Sequence, residues 1–391
     1  MKKFLEGSLA ISQAVKLCRP QVVSAYPITP QTHIVEHLAQ FVADGELKAE
    51  SINVESEHSA ASVVLGAQAA GVRSFTATSS QGLFLMAEVI FNIAGMRLPI
   101  MLVCANRAIS APINIWNDQQ DSISLRDAGW IQFYAEDNQE AMDLVIAGYK
   151  IGENHKIMLP VMVCLDGFIL THGMEVVDFP SQEEVDKFLP VYNPPFKLDV
   201  DNPMSFGLLG DPSVYAETRF AIQKTLSDTL DLIPQVGKEF ESVFGRGNVR
   251  LIEEYKLDDA ETALVAMGSV CGTIKDIVDE ERKKGKKVGL LKVVTYRPFP
   301  KQAIYKALKN ISYIGIIDKN ISLGSDGALY TEVRSLFGQK ANISGFVAGL
   351  GGRDITVGTI EEIISLTEKE QNSCKFMDLD ESLLWEDFRV G

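Results

Sequence analysis

Between Val22 and Val163 short apolar runs alternate with stretches of helical periodicity. A mostly parallel α/β sheet reads this way, because helices cover its strands on both faces and leave no polar alternation along them. The runs predict strands at Val22–Ala25, Ser51–Val54, Ser74–Thr78, Pro99–Cys104 and Val161–Leu165, with helices at His33–Asp44, His58–Ala70 and Gln81–Met96. From about Asp166 to Arg250 the rhythm loosens around Pro180, Pro190, Pro194, Pro195, Pro203 and Pro212. This stretch predicts a long connection that wraps over neighbouring domains or subunits, with helices near Glu217–Thr229 and Gly237–Phe244. The rhythm then resumes, with strands at Thr262–Met267, Lys287–Val293, Tyr313–Asp318 and Asn342–Val347 and helices at Gly272–Lys284, Lys301–Lys309 and Gly327–Phe337. A boundary near Gly247–Tyr255 gives two domains, 1–246 and 247–391.

Charge and cysteine usage narrow the chemistry. A net charge of −15 and a pI near 4.9 exclude a phosphate-backbone partner, which needs a basic face. No run reaches the roughly 18 unbroken apolar residues of a membrane span, and Met1–Leu9 lacks the apolar core of a secretory signal, so the cytoplasm is the expected location. Cys18, Cys104, Cys164, Cys271 and Cys374 form no CxxC pair, which argues against a zinc or iron–sulfur site on this chain. The histidines offer no metal-ligand spacing either: His33 and His37 lie one helical turn apart without a third ligand nearby in sequence. No metal ligand is expected.

Three strand ends carry candidate chemistry. In Tyr26-Pro27-Ile28-Thr29-Pro30 two prolines pin the backbone around Thr29 at the carboxyl end of a strand, where open α/β sheets bind ligands. Thr29 and Thr32 can equally serve as caps of the following helix. Glu57, in Glu55-Ser56-Glu57-His58, enters a small-residue helix; it either complements the helix dipole or is a partly buried acid that tunes a ligand's protonation. Arg107 ends an apolar strand, poised either to clamp a carboxylate through two parallel hydrogen bonds or to close a salt bridge. The polar loop Asn114–Asp121 has the composition of a lid, and Gly349–Asp354 reads as a Gly-rich turn with amides available to a phosphate.

Taken in order, these motifs resemble the alpha chain of multisubunit pyruvate:ferredoxin oxidoreductases, members of the 2-oxoacid:ferredoxin oxidoreductase family. The resemblance runs through Tyr26–Pro30, Glu55–His58, Thr76–Leu83, Asn106–Asn114, Arg126–Gln132, Leu165–Leu170, Arg297–Pro300 and Gly349–Asp354. It implies a pyrimidine-type thiamine-diphosphate-binding α/β domain followed by a transketolase C-terminal-like α/β domain. It further implies that Glu57 bonds the aminopyrimidine nitrogen, that Tyr26, Pro27, Ile28 and Thr29 line the cofactor, and that Arg107 and Thr29 hold the substrate. The family's pyrophosphate motif begins GDG, and Gly210-Asp211-Pro212 fails at its third position. Magnesium and the diphosphate site are therefore expected on a beta-type partner that also carries iron–sulfur clusters, beside gamma-type and ferredoxin-like delta subunits, with ferredoxin and coenzyme A as reaction partners. The reaction implied is oxidative decarboxylation of pyruvate to acetyl-coenzyme A and carbon dioxide. Relatives acting on 2-oxoglutarate, branched-chain oxoacids or oxalate are the alternatives, the oxalate type carrying arginine where Thr29 stands. A non-catalytic scaffold or a transketolase-like carboligase are readings outside the redox class.

Overall fold

Aliphatic runs unbroken by polar side chains become fully buried strands, as at Met101–Asn106 and Val161–Asp166. The computed structural model describes residues 1–338, 342–369 and 372–383. Its larger sheet runs, edge to edge, Thr295–Arg297, Ile131–Tyr134, Val161–Asp166, Met101–Asn106, Ser74–Thr78, Val22–Ala25 and Glu50–Asn53. All neighbours are parallel except the first pair. The smaller sheet orders Cys374–Phe376, Ile343–Val347, Tyr313–Asp318, Thr262–Ala266, Val288–Val293 and Ile252–Tyr255, with the last strand antiparallel. A third, two-stranded sheet pairs Lys2–Glu6 with Met174–Asp178.

The predicted strands are all present, and several elements that the sequence rhythm missed have a physical explanation. The helix Asn138–Gly152 buries every residue except Gln139 and Lys150, so it shows no polar face to betray a helical period. Strand Thr295–Arg297 belongs in sequence to the second half of the chain but joins the edge of the larger sheet. The predicted helix Gln81–Met96 divides at Met86 into Ser80–Leu85 and Ala87–Gly95.

The two helices expected at Glu217–Thr229 and Gly237–Phe244 are one, Tyr215–Phe244, with Pro234 inside it. Proline removes a single backbone donor, and the buried row Ile222, Thr225, Thr229, Ile233, Val236 and Phe240 holds one face of the helix continuously against the core. The preceding connection drapes over the first half of the chain. Leu198 donates its amide to Ala69 O at 2.7 Å, and Arg73 Nη2 reaches Pro190 O at 2.9 Å. Val191, Val200 and Leu209 along it remain exposed.

One core cluster packs helices Gly7–Cys18 and Asn138–Gly152 on the larger sheet. Another runs continuously between the two large sheets through Trp130, Tyr134, Tyr296 and Ile316. Among the described residues no helix is long and apolar enough to cross a membrane.

Candidate functional site at the strand ends

Five consecutive crossovers leave the carboxyl ends of the parallel strands side by side, and the loops that follow them form the site. After Val22–Ala25 the chain turns through Tyr26–Gln31. Gln31, fully buried, anchors this turn: its Nε2 donates to Ala77 O at 2.8 Å, and its Oε1 accepts from Ile28 N at 3.3 Å. Pro30 packs so tightly on Gly167 that a Cβ there would lie 2.6 Å from the proline ring. Tyr26, Pro27 and Thr29 stay exposed on the turn.

Arg107, at the end of Met101–Asn106, is 6% exposed. Its Nη1 donates to Thr29 O at 2.9 Å and its Nε to Asn114 O at 3.0 Å. The fold thus brings Arg107 and Thr29 together. Among the described residues the salt bridge that spacing left open does not form, and neither the Arg107 Nη2 donors nor the Thr29 hydroxyl finds a partner. Arg126, a second arginine nearby in sequence, is spent elsewhere, on Ile123 O at 3.0 Å and on Glu332 at 3.7 Å.

Asp121 organises these ends. Fully buried, it accepts from Asn106 Nδ2 at 2.7 Å, from Ser122 N at 2.8 Å, and from Ser80 N and Arg107 N at 3.0 Å each. Burial nonetheless outweighs these donors and raises its carboxyl above the ordinary range. The loop Asn114–Asp121 is therefore no lid: Asn117, Asp118, Gln119 and Asp121 are buried, and Gln119 N donates to Lys319 O at 2.8 Å. The Gly-rich turn docks on the same loop. Gly351 N donates to Asp118 Oδ2 at 3.1 Å, and Asn114 Nδ2 donates to Gly351 O at 3.0 Å, so that this amide serves the fold rather than a phosphate. Burial, only partly opposed by those backbone donors, pushes Asp118 up to about 6. Asp166 behaves oppositely: burial would raise it, but Lys319 Nζ at 2.9 Å and Ser269 hold it below the usual carboxylate value.

Glu57 opens the helix Glu57–Ala69, capped by Ser56, whose hydroxyl accepts from Ser59 N at 3.2 Å. It is 7% exposed and its side chain makes no hydrogen bond among the described residues, so no bond joins it to Thr29 or Arg107. The residue as a whole is buried, but its carboxylate oxygens are not shut off from solvent and so stay available to a ligand. Gly82 makes its seat: a Cβ there would stand 2.6 Å from Glu57 Oε1 and 2.5 Å from Thr78 Oγ1, a buried hydroxyl that has no partner among the described residues. Gln31, Gly82 and Asp121 were not singled out from sequence, because their roles exist only once distant strand ends meet.

A parallel α/β sheet that gathers a largely buried acid and an arginine with donors to spare at its strand ends has the layout of a ligand-binding site of the open α/β class. Residues 13–238 match the family described as pyruvate flavodoxin/ferredoxin oxidoreductase, thiamine diphosphate binding, and residues 260–360 match pyruvate:ferredoxin oxidoreductase core domain II. The chain belongs to this oxidoreductase family. It is 53% identical over 379 residues to pyruvate synthase subunit PorA of Methanothermobacter thermautotrophicus, covering 97% of this chain and 98% of that one. It is also 44% identical over 389 residues to ketoisovalerate oxidoreductase subunit VorA of Pyrococcus horikoshii, covering 98% of each. Among solved structures, a 2-oxoglutarate:ferredoxin oxidoreductase from Magnetococcus marinus, with 2-oxoglutarate, coenzyme A and succinyl-CoA bound, superimposes with a TM-score of 0.71 at 20% identity. The match covers 93% of this chain and 65% of that longer chain, and bears on the fold.

Proposed function

We propose that this chain is the alpha-type subunit of a cytoplasmic pyruvate:ferredoxin oxidoreductase, supplying the pyrimidine side of a shared thiamine-diphosphate site. The observation that carries the reading is Glu57, a largely buried residue at a strand end whose carboxylate sits against Gly82 and finds no hydrogen-bond partner among the described residues. Such a group suits a ring nitrogen that must hold a proton. Bound thiamine diphosphate would supply the carbanion chemistry of decarboxylation. Glu57 would keep the proton on the aminopyrimidine nitrogen, with Tyr26, Pro27, Ile28 and Thr29 beside it. The free Nη2 of Arg107 and the Thr29 hydroxyl would orient the oxoacid, the guanidinium on its carboxylate. Identities of 47–53% to pyruvate synthase subunits, against 43–44% to ketoisovalerate relatives, favour pyruvate.

The other half of the cofactor site belongs, in this reading, to a partner. Asp211, in the only sequence resembling a GDG start, is exposed and caps its own turn through Ser213 N at 2.8 Å. The beta-type partner would bring magnesium and the diphosphate site together with iron–sulfur clusters, since this chain's cysteines form no CxxC pair. Gamma-type and ferredoxin-like delta subunits would complete the assembly, with coenzyme A collecting the acyl group and ferredoxin the electrons. Calorimetry on the full chain alone should show little or no heat with thiamine diphosphate and magnesium, whereas the assembled complex should reduce ferredoxin fastest with pyruvate in a panel of 2-oxoacids. Micromolar, magnesium-dependent binding by the lone chain would overturn the shared site, and a preference for a branched-chain acid would overturn the substrate.

A further inference from the structure

Three residues without a role in this chemistry meet at the edge of the same loops. Glu6 ends the strand Lys2–Glu6, His33 lies in the first turn of helix Thr32–Ala43, and His172 follows the Val161–Asp166 strand. One ligand atom from each lies within 4.8 Å of the other two, and His33 Nδ1 is 2.7 Å from Glu6 Oε1. We propose that Glu6, His33 and His172 form a site for a divalent transition metal of the zinc class, with three protein ligands and one open position.

The donor set carries the choice of metal. Two imidazoles and one carboxylate suit zinc and its borderline neighbours, whereas magnesium and calcium take oxygen ligands. A tetrahedral site with bonds of about 2.0–2.2 Å places its ligand atoms roughly 3.3–3.5 Å apart, within the span these side chains already occupy. Thr171 Oγ1 accepts from Phe168 N at 2.8 Å and lies 2.7 Å from His172 Nδ1, so that it can accept a hydrogen bond from Nδ1–H and leave Nε2 for a metal. Phe168 packs on the His172 ring at 4.8 Å between centroids, and His172 packs on His33 at 4.8 Å, which limits the rotation of both imidazoles. The His33 side chain is 46% exposed, giving an ion a route in from solvent.

The three ligands come from segments that flank the strand-end site. His33 stands four residues after Thr29, and His172 lies on the turn whose Gly167 packs against Pro30. A bound ion would tie the amino-terminal strand and these two turns together, a clip that local sequence spacing conceals.

The test is calorimetric titration of Zn2+ into the chelator-treated full chain. One equivalent should bind with a micromolar or tighter Kd. His172→Asn and Glu6→Gln should each weaken it at least about tenfold while leaving the circular dichroism unchanged, and His37→Asn, which removes the neighbouring imidazole, should bind as the unaltered chain does. No saturable binding by the unaltered chain, or binding indifferent to both ligand substitutions, overturns the site. Should those variants fail to fold, X-ray absorption of the Co2+-loaded unaltered chain decides: imidazole nitrogen with carboxylate oxygen is expected, and a shell of sulfur or of oxygen alone refutes the assignment.

Discussion

Arg107 divides its donors between the fold and the site, Nε and Nη1 holding two loop carbonyls while Nη2 remains available. Its replacement by alanine should cost about 2–5 kcal/mol of transition-state binding, or roughly 30- to several-thousand-fold in kcat/KM for pyruvate. Arg107→Lys should recover only part, since one ammonium cannot span Thr29 O, Asn114 O and a carboxylate together. Steady-state kinetics on the complex, with thiamine content measured in parallel, checks this; near-normal kcat/KM would place the carboxylate elsewhere. Glu57→Gln should lower kcat more than about tenfold, a loss above about 1.4 kcal/mol. Because the Glu57 side chain makes no hydrogen bond among the described residues, the isosteric amide should leave thermal unfolding almost unchanged. A fall in Tm with retained kcat would assign Glu57 to the fold instead. At this scale Thr29, Glu57 and Arg107 were readable as strand-end motifs, whereas Gln31 and Asp121 were not: an amide or an acid becomes an anchor only when its donors and acceptors arrive from other strands.

Gly82 shows what an element must provide for such a residue to work. It lies inside the short helix Ser80–Leu85, where alanine is intrinsically favoured by about 1 kcal/mol. The added methyl would nevertheless stand 2.5 Å from Thr78 Oγ1, on a fully buried strand, as well as 2.6 Å from the Glu57 carboxylate. Gly82→Ala should therefore lower Tm somewhat, as the buried threonine must shift, and lower kcat on the order of 100-fold, the scale of a 1 Å misplacement. Kinetics and calorimetric unfolding of the same preparation separate the two effects, and full activity would show that Glu57 needs no such seat. Helices with one polar face were legible from their period. Asn138–Gly152 was not, since burial on all sides erases the pattern, and the single helix Tyr215–Phe244 read as two, although its apolar row continues on both sides of Pro234.

Across the whole molecule, the two large sheets are joined by charge as well as by apolar packing. Lys292, 4% exposed on the Val288–Val293 strand, meets Glu136 at 2.6 Å, Glu253 at 2.8 Å and Glu140 at 3.0 Å. Glu136 and Glu140 come from the first half of the chain, at the start of Asn138–Gly152. Burial alone would raise Glu253, but Lys292 and Lys275 outweigh it and bring its carboxyl down to about 2. Lys292→Met would leave these acids short of their central cation and should cost about 3–5 kcal/mol. Chemical denaturation of the full chain measures the loss, and adding Glu140→Gln should return part of it. An unchanged midpoint would mean that Lys275 alone neutralises the cluster.

The βα rhythm, the order of strand-end motifs and the missing third glycine after Gly210-Asp211 are properties of neighbouring residues, set by spacings of two to four positions, and the sequence by itself determined them. Only the tertiary structure decided that Lys2–Glu6 pairs with Met174–Asp178, that Thr295–Arg297 closes the edge of the larger sheet, and that Glu6 and His172 reach His33. Those meetings join residues far apart along the chain. Their register depends on how whole elements pack, which no local period encodes.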